Sequence, residues 1–137
     1  MVSTKIDFNY NRIARIQGLD ELGVILFPGN KNHQKVFLSI FIELKYANNG
    51  FLASLIHLCD KYGFTPRMLE TVRSKMRRMG IIDHVSRFSK SHGYREGWVF
   101  SSRLSRTLKR LNELVLSFRE KTDILQEKKD RDLFRYI

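Results

Sequence analysis

Apolar positions recur with two different periods along this chain, and the change of period divides it. Between Thr65 and Met79 the residues Leu69, Val72, Met76 and Met79 fall at helical spacing on one face. Counting 100° per residue, the other face holds Arg67, Glu70, Thr71, Ser74 and Arg78, with Arg77 and Lys75 on its flanks. Gly80-Ile81-Ile82 ends that helix, and Val85 and Phe88 then alternate with polar residues. Ser89-Lys90-Ser91-His92-Gly93 reads as a hairpin tip and Trp98-Val99-Phe100 as the returning strand. Ser101 or Ser102 caps a last helix, where Leu104, Leu108, Leu111, Val115, Phe118, Thr122 and Leu125 follow one another at a/d spacing.

Upstream the pattern is also helical. From His33 to Ala47, with Asn32 as N-cap, Val36, Phe37, Ile40, Phe41 and Leu44 form one face and Leu38, Ile42 and Tyr46 a second. Ser39, Glu43 and Lys45 are left as a polar strip, so this helix is expected to be covered on two sides. One cover is the core; the other is the N-terminal segment or a partner chain. Asn48-Asn49-Gly50 stops it, and Phe51–Tyr62 reads as a second apolar helix carrying Cys59, which Gly63 ends. Thr65 is placed to cap the next helix and Pro66 to open it. The first thirty residues are read as an extension. Ile6, Phe8 and Tyr10 alternate as in a strand, Asn11–Gln17 suits a short helix, and Val24–Phe27 is a β-favouring run closed by Pro28-Gly29-Asn30.

Charge changes the picture. The chain carries a net +11, and residues 61–119 hold fourteen Lys and Arg against four Asp and Glu, so nearly all the surplus lies there. A surplus of this size calls for an anionic partner, and its coincidence with one folded segment favours nucleic acid. The apolar runs are much shorter than the roughly 18 residues that span a bilayer, and no secretory leader is evident, so a cytoplasmic, nucleoid-associated protein without membrane contact is expected. Cys59 is alone and sits in an apolar pattern, which suits a buried thiol. His33, His57, His84 and His92 share no metal-ligand spacing with Cys59 or a carboxylate, and no phosphate-binding glycine motif occurs, so neither an enzyme nor a cofactor nor a small-molecule site is expected. His57 is expected to be partly buried.

The order of apolar helix, Gly-x-Thr-Pro, apolar-basic helix, Gly80-Ile81-Ile82, hairpin and long closing helix resembles a winged helix-turn-helix. The broad group containing the MarR-like and PadR-like regulators has this layout. So do archaeal winged-helix dimers joined by a C-terminal coiled coil. The resemblance covers roughly residues 33–126 and rests on residue types. It lacks an identifiable strand between the first two helices. It implies a mainly α fold with a small β-hairpin wing (α+β). The expected divisions are an N-terminal extension over 1–30, a DNA-binding domain over 31–101, a dimerisation helix over 102–127 and a charged tail over 128–137.

The resemblance implies double-stranded DNA as partner, with the third helix in the major groove. Arg67, Glu70, Thr71 and Ser74 are the candidate base-reading residues. Thr65, Lys75, Arg77, Arg78, Arg87, Lys90, Arg95 and Arg103 are candidates for phosphate, which adds affinity without sequence information. Glu70 cuts against a simple basic reader and is expected to pair with Arg73 or Ser74, or to accept from a cytosine amino group. Trp98 is expected to fill a core beneath the wing. Leu104, Leu108, Leu111, Val115, Phe118 and Leu125 are the candidate homodimer seam, against the alternative that this seam packs within its own chain. Three functions compete: a sequence-specific transcriptional regulator, a DNA-organising or plasmid-segregation protein with weak sequence preference, and a protein-interaction scaffold that binds no DNA.

Overall fold

The computed structural model describes residues 5–91 and 93–137. The first four residues of the expected extension, and His92 at the hairpin tip, lie outside them. The described residues are 61% helical, with one two-stranded antiparallel hairpin among them. In order it runs α1 (Tyr10–Ala14), α2 (Leu19–Leu26), α3 (Lys31–Lys45), a 3-10 turn (Asn48–Gly50), α4 (His57–Tyr62), α5 (Pro66–Met79), β1 (Ile82–Ser89), β2 (Gly93–Phe100), α6 (Arg103–Arg119), α7 (Ile124–Asp132) and a 3-10 turn at Leu133–Tyr136. It divides after Leu104 into two compact units, and no helix of the described residues is long and apolar enough to cross a membrane.

The N-terminal strands expected from alternation are absent from the described residues. Tyr10 opens α1, capped by the Asn9 side chain, which accepts from the Arg12 amide. The β-favouring Val24–Phe27 run lies in the last turn of α2 and its C-cap. Helix wins there because Asp20 and Glu21 occupy its first turn and Ile25 and Leu26 share the buried face, so packing overrides β propensity. Gly23 lets that face close on α3: a Cβ there would lie 3.3 Å from the Phe37 ring. The Asp7 amide donates to the Ile25 carbonyl at 3.1 Å and ties the preceding segment to α2.

Helix α3 starts two residues earlier than expected, with Asn30 as the cap that accepts from the His33 amide at 3.0 Å. Val36, Phe37, Ile40 and Leu44 are fully enclosed, and α2 packs on α3 beside Phe37; the expected cover over the second face is not complete, since Leu38 and Ile42 are half-buried and Tyr46 is exposed. Ser39 is not on a polar strip. It is buried, and its hydroxyl donates to the Val36 carbonyl at 2.7 Å, which removes the cost of an unpaired polar atom. Phe27, Phe37, Phe41 and Phe100 follow one another with ring centroids 5.6, 5.6 and 4.8 Å apart, linking the end of α2 through α3 to β2.

The apolar run after Gly50 is not one helix. Phe51 and Leu52 are extended, and Leu52 pairs antiparallel with Trp98 through two backbone hydrogen bonds of 3.0 and 2.7 Å. The strand missing from the sequence reading is therefore a single bridge at the hairpin edge. Helix α4 is confined to His57–Tyr62, with Leu58 and Cys59 buried and His57 exposed rather than partly buried. Glu43 of α3 accepts from Lys61 Nζ and Tyr62 Oη, both at 2.6 Å, and so fastens α4 to α3. These bonds hold the Glu43 carboxyl below its usual value.

In the second unit the long closing helix breaks. Helix α6 ends at Arg119, and Asp123 starts a new helix by accepting from the Gln126 amide at 2.8 Å. Residues expected as a charged tail are α7 and the last 3-10 turn.

Candidate nucleic-acid interface

Helix α5 is set by its two ends. Gly63 closes α4 in the left-handed conformation at φ 75°, and Thr65 accepts from the Met68 amide at 3.2 Å with Pro66 just behind it. Leu69, Val72, Met76 and Met79 are buried as the period predicted, so the helix is held with its other face outward. Arg67, Glu70, Arg77 and Arg78 are exposed, and Thr71 and Ser74 are half-buried between them. Ser74, Arg77 and Arg78 line one shallow concavity together with Asp83 and Arg103.

Two of the expected phosphate ligands are placed otherwise. Arg103 donates to Asp83 Oδ1 from Nε at 3.0 Å and from Nη2 at 2.6 Å, and Nη2 also meets the Arg77 carbonyl at 2.7 Å. Its guanidinium thus joins the end of α5 to β1, and it depresses the Asp83 carboxyl below its ordinary value. Gly80 permits this closure at φ 85°, because a Cβ there would stand 2.7 Å from the Leu104 nitrogen. Lys75 turns to the inner flank of α5, with Nζ 3.3 Å from His33 Nδ1. Arg73, which Glu70 was expected to engage, lies 5.0 Å from the centroid of Trp98. Trp98 itself is buried, with His84 edge-on at 4.8 Å.

The hairpin presents a second basic surface. Arg87 and Arg95 are direct cross-strand partners, so their side chains share one face. Both guanidinium carbons lie over the ring of Phe51, at 5.6 and 5.0 Å. Gly97 makes room for that ring, since a Cβ there would fall 2.4 Å from Phe51 Cζ. Like charges placed opposite each other repel, and the π face of Phe51 offsets part of that cost. Lys90 is exposed at the tip, and Phe88 and Tyr94 face each other there, 77% and 63% exposed. Phe51, Arg73 and this aromatic pair were not candidates from sequence. Only the strand register, which pairs 88 with 94 and 87 with 95, would have found the hairpin groups.

The seam residues separate into three groups. Leu104 packs against the core of the first unit and so is not a free seam position. Leu108, Leu111, Val115 and Phe118 are exposed along α6. Leu125 is exposed too, but beyond the break at Glu120, so it no longer continues their helical phase. Among the described residues no group of three or more His, Cys, Asp or Glu side chains gathers as a metal site would require. No family model, no curated protein and no solved structure matches the chain.

Proposed function

We propose that the protein binds duplex DNA as a homodimer through a winged helix-turn-helix and acts at the nucleoid as a transcriptional regulator. In this reading α5 enters the major groove, about 12 Å wide, and the β1–β2 hairpin is the wing. The supporting observation is α5 itself. It is anchored by a wholly apolar inner face, opens on a tight capped turn after α4, and exposes Arg67, Arg77 and Arg78 around Thr71 and Ser74. The Arg87–Arg95 pair is suited to a backbone phosphate, which would relieve the repulsion between the two guanidinium groups. Arg103 and Lys75 are left out of the contact set. Arg103 orders the end of α5 instead.

The test is binding to duplex across a salt series. Arg77→Glu and Arg78→Glu should weaken binding to all duplexes alike, each lowering the salt slope by about one unit. Unchanged affinity and slope in both variants would take α5 out of the interface. Selection from random duplex then separates the functions. A regulator enriches an inverted repeat with half-sites about one helical turn apart, whereas a DNA organiser enriches nothing.

A further inference from the structure

A second basic recess lies away from the outer face of α5. It is a cavity of about 190 Å³ lined by Lys5, Leu26, Phe27, Pro28, Asn30, His33 and Lys75. Its three basic groups come from three separate segments: the N-terminal stretch, the first turn of α3 and the inner flank of α5. None of these lining residues is acidic. The His33 wall is fixed by its surroundings. The Asn30 side chain accepts from the His33 amide, and the Phe27 ring meets the imidazole edge-on at 6.3 Å. Gln34 Nε2 donates to the Phe27 carbonyl at 2.9 Å and fixes the wall between them.

The Lys75–His33 contact dictates which protons are presented. An ammonium has donors and no lone pair, so at 3.3 Å the His33 Nδ1 must accept from Lys75. The imidazole proton then sits on Nε2, and Lys75 keeps further N–H groups. The recess therefore offers hydrogen-bond donors and positive charge above an apolar floor of Leu26, Phe27 and Pro28. Its volume falls below the about 300–1,000 Å³ typical of sites for drug-sized ligands.

We propose that this recess binds a small phosphate-class dianion, either inorganic phosphate or a compact phosphomonoester. Two ammonium groups match its charge, and the imidazole N–H supplies a directional donor. The side chains alone form the site, because Asn30 already caps the α3 terminus. Binding does not depend on the DNA reading, although Lys75 lies on the proposed reading helix and would make the anion a ligand of that helix. Burial and the Lys75 charge both hold His33 below its usual pKa, and a bound dianion would reverse the second effect.

The test titrates the full chain with inorganic phosphate at constant ionic strength in chloride, following the His33 ring by NMR. A saturable shift with an upward move of the His33 pKa is expected. Lys75→Gln should weaken binding by about tenfold or more, since loss of a charge-assisted contact is worth at least one decade. Lys5→Gln, at an exposed position whose loss cannot unfold the core, should weaken it to a lesser degree. Lys35→Gln, on α3 but outside the recess, should leave it unchanged. The proposal is overturned if no saturable shift appears, or if Lys5→Gln and Lys75→Gln bind as wild type does. Equal weakening by Lys35→Gln would also overturn it, because it would reveal nonspecific attraction to a basic surface.

Discussion

Arg103 illustrates what residue type alone conceals. In sequence it is one more arginine at the start of a basic helix, suited to phosphate. In the structure four hydrogen bonds commit it to Asp83, to the Arg77 carbonyl and to the Ile82 carbonyl. No period in the sequence pairs residues 83 and 103; the hairpin between them does. The same holds for Lys75 and His33, forty-two positions apart. A pH prediction follows for Asp83. Its folded pKa is depressed, so its contribution is complete above the ordinary carboxylate value of about 3.9 and is lost as pH falls through the lower folded value. Both partners are about one-third exposed, which limits the pair to about 1 kcal/mol at pH 7. Asp83→Asn should thus lower the urea midpoint at neutral pH and flatten the loss of stability below pH about 4. A variant whose acid profile parallels wild type would mean that the pair contributes nothing in solution.

Elements with a strong period and punctuated ends were legible. Helix α5 has four apolar positions on one face, Thr-Pro before it and a glycine after it, and all of these signals agree. The hairpin turn and its returning strand were legible for the same reason. What failed was the short apolar run. Val24–Phe27 and Phe51–Leu55 each read as strand or helix depending on neighbours that only the fold supplies; the first closed α2 instead of a strand, and the second gave a single bridge at Leu52 instead of a helix. Helix α6 was overextended because heptad spacing ran on through Thr122 to Leu125, while Asp123 carried a stronger local signal as an N-cap. Capping can be measured on α5. Thr65→Ala removes the acceptor for the Met68 amide and should cost about 1 kcal/mol in denaturant unfolding. Thr65→Ser should restore most of it. If alanine costs nothing, the turn before α5 is held by Pro66 and Phe64 packing rather than by the cap. On the same helix, Arg67→Ala should reduce discrimination between specific and random duplex by roughly 1–3 kcal/mol. An equal loss for both would make Arg67 a phosphate contact.

At the scale of the whole molecule the open question is what covers α6. A coiled coil needs apolar a/d residues free to meet a partner, and Leu108, Leu111, Val115 and Phe118 are 41%, 53%, 52% and 80% exposed. Exposed apolar side chains in a continuous seam mark an interaction surface, and a second copy offers the same spacing in return. Seam positions differ in burial, which the sequence could not show. Leu104 packs against the core cluster, whereas Leu108 and Leu111 are exposed. Replacing Leu108 and Leu111 with Lys would bury unpaired charge only in the dimer, at a cost of several kcal/mol there. The variant should sediment as a monomer at micromolar concentration while its circular dichroism spectrum still shows a folded chain, and its unfolding midpoint should no longer depend on protein concentration. Its affinity for a paired-site duplex should fall steeply, since each half-site would bind alone. Leu125→Lys, beyond the break at Glu120, should leave the dimer intact. A wild-type chain that sediments as a monomer would sink the dimer, and the four exposed positions of α6 would then have to face a different protein.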